Sequence, residues 1–355
     1  MEYLTNITDI AKTIDESKIK FKNVFEYPEI LYGAPFASMG AGFGKYNHKT
    51  QEEINNLSDF VKRVYDNSKK CSTGCFLRFK TNSNQIFIKC ELKRKWPYKN
   101  MLLWNSSGFD VYEIENGKFI HSTVFAPNAG KSVFCEQFWH KRENEVQIYL
   151  PNYNEIIHLY IGAESEILPV DSVKKPAIAF YGNSITQGCA ASRSGNSFVN
   201  IVSRILNNEV YNFSVTNCCR GFKSVSEIIG MLNLRAVVID YSRNAESLDE
   251  LEATHLSFYK EIRKYHPDIP IIILSMEAFA RKDWIGIFTK VVKDTYEYAV
   301  RNGDNTYYLD QMALFRPEEY SLAVVDDCHY TDFGMFRIAE AITQLLEKAE
   351  QKINS

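Results

Sequence analysis

No run of apolar residues in the 355-residue sequence approaches the length needed to span a bilayer. The first residues, Met1-Glu2-Tyr3-Leu4-Thr5-Asn6, carry neither the basic stretch nor the apolar segment of an export leader. A soluble, cytoplasmic protein is the expectation. The net charge is only -3, from 41 basic and 44 acidic residues interspersed along the chain, which leaves no basic face for nucleic acid and no polybasic patch for a membrane. Neither is an expected partner. Eight cysteines are scattered without a CxxC, and two of them, Cys218-Cys219, are adjacent, which suits reduced thiols better than a disulfide framework. No CxxC pair of the kind structural zinc commonly uses is present, so no metal site is expected.

The length favours two domains. Residues 1–70 are the least legible part, with candidate helices at Ile10–Ile19 and Gln51–Tyr65, and are expected to form an extension packed on the domain that follows. The Gly-rich piece SMGAGFGKYN between them lacks the Gly-Lys-Ser/Thr ending and the preceding strand of a phosphate loop. From residue 71 to 172 the texture is that of an antiparallel β-sandwich: CFLRFKTNS, NQIFIKCELK, GFDVYEI, KFIHSTVFA, NEVQIYLP and IIHLYIG each read as a strand. Trp96, Tyr98, Trp104 and Trp139 are expected in its core, the alternative being a sugar-stacking platform. A polar run around Pro169 marks the boundary. Over residues 173–355, strands at 177–181, 209–214, 236–240, 269–275 and 306–310 alternate with helices at 197–206, 225–232, 247–265, 284–301 and 333–353. That alternation, with nearly continuous apolar strands, predicts a parallel sheet covered on both faces.

This second domain is organised around Pro176–Asn196, PAIAFYGNSITQGCAASRSGN, where an apolar run is broken by Gly182 and a small polar cluster. Ser184 stands in that turn. Its hydroxyl is exposed there and its backbone N–H lies near a helix N-terminus; on this stretch alone, nucleophile and helix cap are equally good readings. Sites in parallel sheets lie at the carboxyl ends of the strands. That rule gathers Ser184 with Ser214-Val215-Thr216-Asn217, with Asp240-Tyr241-Ser242-Arg243-Asn244 and with Asp326-Asp327-Cys328-His329. A serine hydroxyl needs a neutral imidazole to take its proton, and the imidazole needs a carboxylate to fix its tautomer. His329 fits the first role and Asp326, three residues earlier, the second. Asn244 and the Ser184 N–H fit the donors to an oxyanion.

These residues carry a resemblance. Gly182-Asn183-Ser184-Ile185-Thr186 is similar to the first block of the SGNH (GDSL-type) hydrolases, Asn244 to the third-block asparagine, and Asp326-Asp327-Cys328-His329 to the fifth-block D-x-x-H. Gly108-Phe109-Asp110-Val111-Tyr112 resembles the G-x-D-L-Y signature of the bacterial subfamily in which a β-rich domain precedes the hydrolase. The resemblance runs from about Cys71 onward. It implies a three-layer, flavodoxin-like parallel-sheet hydrolase domain preceded by an all-β, jelly-roll-like sandwich. It also implies Ser184 as nucleophile, His329 as general base and then acid, Asp326 as orienting carboxylate and Asn244 as oxyanion donor. The family's second-block glycine is missing: YNFSVTNCCRG puts Ser214 and Asn217 at glycine positions. Asn217 is given that glycine's role, because asparagine tolerates glycine-like backbone conformations, with Gly221 as the alternative. Asn183 replaces the family's usual aspartate at a position outside the catalytic set. Arg193 reads as a salt-bridging residue, and Cys189, Cys218 and Cys328 as small packing residues. The implied activity is hydrolysis of short acyl esters, acetyl first, on a small-molecule or glycan substrate, through a serine ester and without a metal or organic cofactor. A short-chain thioesterase, a lysophospholipase-like hydrolase and an inactive glycan-binding protein are the alternatives; a homo-oligomer is left open.

Overall fold

The computed structural model of the chain describes residues 16–280 and 282–353. They divide into two units. The first is built from residues up to Lys45, Lys70–Val173 and Ser192–Gly195, and the second from Tyr46–Lys69, Lys174–Ala191 and the chain from Asn196 onward. The helix expected at Ile10–Ile19 lies mostly outside the described residues, which begin with a short turn at Glu16–Lys18.

The first unit is all β. Strands β1 (Lys20–Asn23), β2 (Leu31–Tyr32), β3 (Phe76–Thr81), β4 (Gln85–Leu92), β5 (Phe109–Glu115), β6 (Lys118–Phe125), β7 (Val133–Trp139), β8 (Glu145–Tyr149), β9 (Ile156–Ala163) and β10 (Ile167–Leu168) form two antiparallel sheets. Their orders are β1-β9-β4-β7 and β10-β3-β8-β5-β6, with β2 beside β3. The alternate residues Leu77 and Phe79, Ile86 and Ile88, Val146 and Ile148, and Leu159 and Ile161 meet in one apolar core, as the period of two requires. Asn116-Gly117, both at positive φ, close the β5–β6 hairpin. The tryptophans depart from expectation. Trp96, Trp104 and Trp139 are more than half exposed, because Phe, Ile, Leu and Val from the two sheets already fill the core and Phe138, not Trp139, is the inward residue of β7. Lys45, at the end of the Gly-rich piece, is buried and donates to the Thr73 carbonyl at 2.5 Å, a structural tie within this unit.

The G-x-D-V-Y stretch owes its composition to this unit's packing. A side chain at Gly108 would strike the Trp104 carbonyl. The Asp110 carboxylate, fully buried, accepts from Arg193 Nε at 2.9 Å and from the Gly195 N–H at 3.0 Å, and faces His121 Nε2 at 3.0 Å. Tyr112 receives Arg193 Nη2 at 3.2 Å. Arg193 is thus the salt-bridging residue expected of it, and the tie explains why 192–195 cluster with the β strands.

The second unit holds five parallel strands, β11 (Lys174–Gly182), β12 (Asn208–Asn212), β13 (Leu234–Asp240), β14 (Ile271–Leu274) and β15 (Thr306–Leu309), in the order β12-β11-β13-β14-β15. Its helices are α1 (His48–Asn55), α2 (Asp59–Ser68), α3 (Ser184–Gln187), α4 (Phe198–Leu206), α5 (Lys223–Met231), α6 (Leu248–Tyr265), α7 (Asp283–Arg301) and α8 (Asp332–Ile353), with one further helical turn at Tyr320–Ala323. On one face Ile178, Phe180, Val238 and Ile272 pack against Phe198 and Val202 of α4 and Ile338 and Ile342 of α8. On the other, Tyr181 stacks on Phe258 of α6 with ring centroids 4.5 Å apart. Among the described residues no helix is long and apolar enough to cross a membrane.

The single helix expected over Gln51–Tyr65 is two, α1 and α2, because Asn56 ends the first and Ser58 caps the second. Residues 46–69 also group with the α/β unit instead of the sandwich. The Glu53 carboxylate explains why: it accepts the Lys223 and Ser224 N–H groups at 3.0 and 3.2 Å, capping α5.

Replacing Asp110 by alanine strands the Gly195 N–H and the Arg193 guanidinium without their buried acceptor. The expected loss is about 3–5 kcal/mol, read from urea denaturation. A loss under about 1 kcal/mol, the value of an exposed pair, would remove the buried-acceptor role.

Candidate active site

Strand β11 ends at Gly182, where a Cβ would lie 2.1 Å from Thr186 Oγ1, so only glycine lets the chain fold back so tightly. Asn183 then caps α3: its Oδ1 accepts the Ile185 N–H at 2.7 Å, while its Nδ2 and its backbone N–H both donate to the Asp240 carbonyl, at 2.9 and 3.2 Å. Ser184 is the first residue of that helix. Its Oγ lies 2.8 Å from His329 Nε2. The Nδ1 of the same ring lies 2.8 Å from Asp326 Oδ2, and Asp326 Oδ1 accepts the Cys328 and His329 N–H groups at 2.9 and 2.8 Å. With Nδ1 donating to the carboxylate, Nε2 is left as the acceptor for the serine hydroxyl.

Burial alone would raise the Asp326 carboxyl, but the His329 backbone N–H, the His329 ring and the Cys328 N–H hold it down at about 2. It is a carboxylate at any ordinary pH. Asp240 is treated in the opposite way. Burial pushes it up to about 7, against the pull of Thr186, Gln311 and Arg243. Its Oδ2 lies 2.6 Å from Thr186 Oγ1 and its Oδ1 3.2 Å from Gln311 Nε2. Gln311 Oε1 in turn accepts from Tyr330 Oη at 3.0 Å, and Tyr330 follows His329. Asp240 therefore links the start of α3 to the histidine loop. Arg243, next to Asn244, ion-pairs with the fully buried Glu277.

The loop after β12 turns at Val215–Cys218, closed by the Cys218 N–H on the Val215 carbonyl at 3.1 Å, with Asn217 exposed and at φ 57°. That is the left-handed region that favours glycine and, next to it, asparagine. Gly221 also has positive φ, but its N–H is buried and donates to the Tyr181 hydroxyl at 3.1 Å, so it is committed elsewhere. Asn244 ends the short turn after β13, and its Nδ2 is buried without a hydrogen-bond acceptor. Cys189, Cys218 and Cys328 are buried, and burial raises the Cys218 and Cys328 thiols well above their usual range. Asp326, Cys328 and His329 bring ligand atoms within 4.8 Å of one another, the one metal-competent cluster among the described residues. Its Nδ1 is already directed at Asp326 and its thiol is held protonated.

Residues 174–347 match the family model of the GDSL-like lipase/acylhydrolases, and residues 45–167 match that of the GxDLY domain, the N-terminus of SGNH-hydro-type esterases. Residues 174–347 belong to the GDSL-like lipase/acylhydrolase family. Among solved structures it is similar to a protein described as a GDSL-like lipase from Bacteroides ovatus, with 23% identity and a TM-score of 0.78 over 94% of this chain and 98% of that one. The salicylyl-acyltransferase SsfX3 of a tetracycline biosynthetic pathway follows, with 16% identity and a TM-score of 0.68 over 86% and 89%. A family two carbohydrate esterase from Clostridium thermocellum, in complex with cellohexaose, has 15% identity and a TM-score of 0.59 over 81% and 96%. At these identities the likeness is one of fold. No curated protein matches the sequence.

Within this GDSL-like chain, the supporting set of Asn183, Thr186, Asp240, Gln311 and Tyr330 escapes the family motifs as read from the sequence. Asn183 and Thr186 fall inside the first block without a role attached, and Gln311 and Tyr330 carry no local signal at all. Two outcomes follow from their geometry. Restoring the family's usual aspartate by Asn183→Asp would set a carboxylate against the Asp240 carbonyl in place of a donor, so the thermal midpoint is expected to fall by the equivalent of about 1–3 kcal/mol, and an unchanged midpoint would refute that contact. For Asp240 the folded carboxyl is raised from an unfolded value of about 3.9, so the fold holds the proton more tightly and loses stability as pH rises from about 4 to about 7. Asp240→Asn, a neutral isostere able to keep both side-chain contacts, is expected to flatten that part of the stability profile measured by thermal denaturation.

Proposed function

We propose that the chain is a serine esterase that removes short acyl groups, acetyl foremost, from carbohydrate hydroxyls. The observation that carries the reading is the unbroken line from Ser184 Oγ through the His329 ring to the Asp326 carboxylate, with both contacts at 2.8 Å. Ser184 Oγ attacks the ester carbonyl as its proton passes to His329 Nε2, and the Asp326 carboxylate stabilises the imidazolium so formed. Charge then develops on the carbonyl oxygen. The N–H groups of Ser184 and Asn217 and the Asn244 Nδ2, which has no acceptor of its own, receive it. His329 returns the proton to the leaving alcohol, leaving an acyl-serine. Water, deprotonated by His329, attacks this ester, and the acid departs with Ser184 regenerated.

The carbohydrate alcohol is supported by the fold shared with the family two carbohydrate esterase. The left-handed Asn217 supports turnover over the binding-only reading, because a glycine-like conformation is kept at the position where the family uses a backbone N–H.

Hydrolysis of p-nitrophenyl acetate, butyrate and octanoate is expected to fall with chain length, with Ser184→Ala at the level of the uncatalysed reaction. Asn244→Ala is expected to lower kcat about 10²–10³-fold with little change in KM. Release of acetate from acetylated oligosaccharides tests the alcohol. Turnover retained in Ser184→Ala would sink the mechanism; activity greatest on octanoate would sink the short-acyl assignment.

A further inference from the structure

A left-handed backbone costs a residue other than glycine about 1–2 kcal/mol, least for asparagine, and such strain persists only where the surroundings over-determine it. The surroundings of Asn217 can be named. Gln187 Oε1 accepts the Thr216 N–H at 2.7 Å, Asn212 Oδ1 accepts the Ser214 N–H at 3.0 Å, and the Cys219 thiol takes the Val215 N–H at 3.2 Å. Two more contacts come from residues 46–69, outside every motif around Ser184. The Tyr46 hydroxyl donates to the Phe213 carbonyl at 2.5 Å, just before the turn, and the Cys218 thiol donates to the Val61 carbonyl at 3.6 Å, within it. The Tyr46 ring lies between Tyr65 and Phe213, with centroids 5.6 and 6.3 Å away. Burial raises the Tyr46 hydroxyl well above its usual range, so it is a donor throughout the working pH range. Glu53, on the same hairpin, fixes α1 to the N-terminus of α5.

We propose that Tyr46 is a positioning residue for the esterase reaction: through the Phe213 carbonyl it holds the Val215–Cys218 turn so that the Asn217 N–H meets the oxyanion, and the α1–α2 hairpin is the brace of that loop. This rests on the reading of Ser184 and Asn217 given above. A brace of this kind acts on charge that exists only in the transition state, so its loss shows in kcat and not in substrate binding. A misplacement of about 1 Å is enough to cost on the order of 10²-fold.

Tyr46→Phe removes one oxygen atom. On p-nitrophenyl acetate the variant is expected to lose about tenfold or more in kcat with KM within about twofold. A boronic acid, which mimics the tetrahedral adduct on the serine, is expected to bind about tenfold more weakly to it. Cys218→Ala, which removes the second tie, is expected to shift both quantities in the same direction and carries the test should Tyr46→Phe fold poorly. Tyr259→Phe is the matched control: its hydroxyl serves Asp304 at 2.6 Å and Thr306 at 2.8 Å, at the opposite ends of the strands, so its loss is expected to lower Tm and leave kcat unchanged. Wild-type kcat and boronate affinity in Tyr46→Phe, or an equal loss of kcat in Tyr259→Phe, would overturn the brace. Ser184→Ala separates the two levels: turnover surviving in it defeats the parent reading, whereas turnover lost there but intact in Tyr46→Phe defeats the brace alone.

Discussion

The carboxyl group of Asp240, sealed from water at the end of the central strand β13, carries the loops around Ser184. Its backbone carbonyl takes two donors from Asn183, and its side chain meets Thr186 on one oxygen and Gln311 on the other. Strand β13 is hydrogen-bonded on both sides, to β11 and β14, so the position of Asp240 is set by the sheet and not by a loop. The register in which Gly182 pairs with Asp240 therefore fixes where α3 begins, and with it where the Ser184 hydroxyl points. A buried charge at such a hub is costly, and burial accordingly pushes the carboxyl up to about 7. Asp326 solves the converse problem. It is partly exposed and takes three donors, so it stays charged beside the histidine. Two aspartates of the same unit are thus shifted in opposite directions by what surrounds them.

How much of this is legible in the sequence depends on whether a feature is local. The five parallel strands and their helices follow from apolar runs and helical spacing, and the observed bounds differ from the expected ones by a few residues. The cap residues help, since Ser197 and Ser247 mark helix starts with side-chain bonds to the third residue on. Order and spacing also name the residues that meet at Ser184, because chemistry restricts them to Ser, His and Asp. The support beneath them is not local. Gln311 reaches Asp240, and Tyr330 reaches Gln311, only once the sheet has brought the ends of β13 and β15 together across β14. Strand β7, VFCEQFW, escapes for a related reason: its burial pattern is irregular, and its pairing with β4 defines it better than its own alternation. The exposed tryptophans show the limit of reading size as burial. Ring area is worth burying only where the sheets leave room, and smaller apolar residues already occupy that room.

The G-x-D-V-Y stretch shows that a sequence signature need not be a catalytic one. Gly108 is small because the Trp104 carbonyl is there, Asp110 is acidic because two donors and a histidine converge on a dry position, and Tyr112 is a tyrosine because Arg193 needs a second acceptor. The requirements at Asp110 and Tyr112 concern residues 192–195, which follow α3 by a few positions in the chain. A signature in the β unit and a segment just past the serine helix are therefore constrained together.

The second-block loop obeys the same logic at a smaller scale. Glycine at position 217 would adopt the left-handed conformation freely, but it would be equally free to leave it, and the unfolded chain would gain more entropy from it. Asparagine carries a modest strain and offers fewer alternatives. Strain is tolerable only in a loop held on every side, and this one is held by side chains from four places: Asn212 at the end of β12, Gln187 of α3, Cys219 beyond the turn, and Tyr46 ahead of α1. The departure from the family's glycine and the placement of residues 46–69 against the α/β unit are then one arrangement.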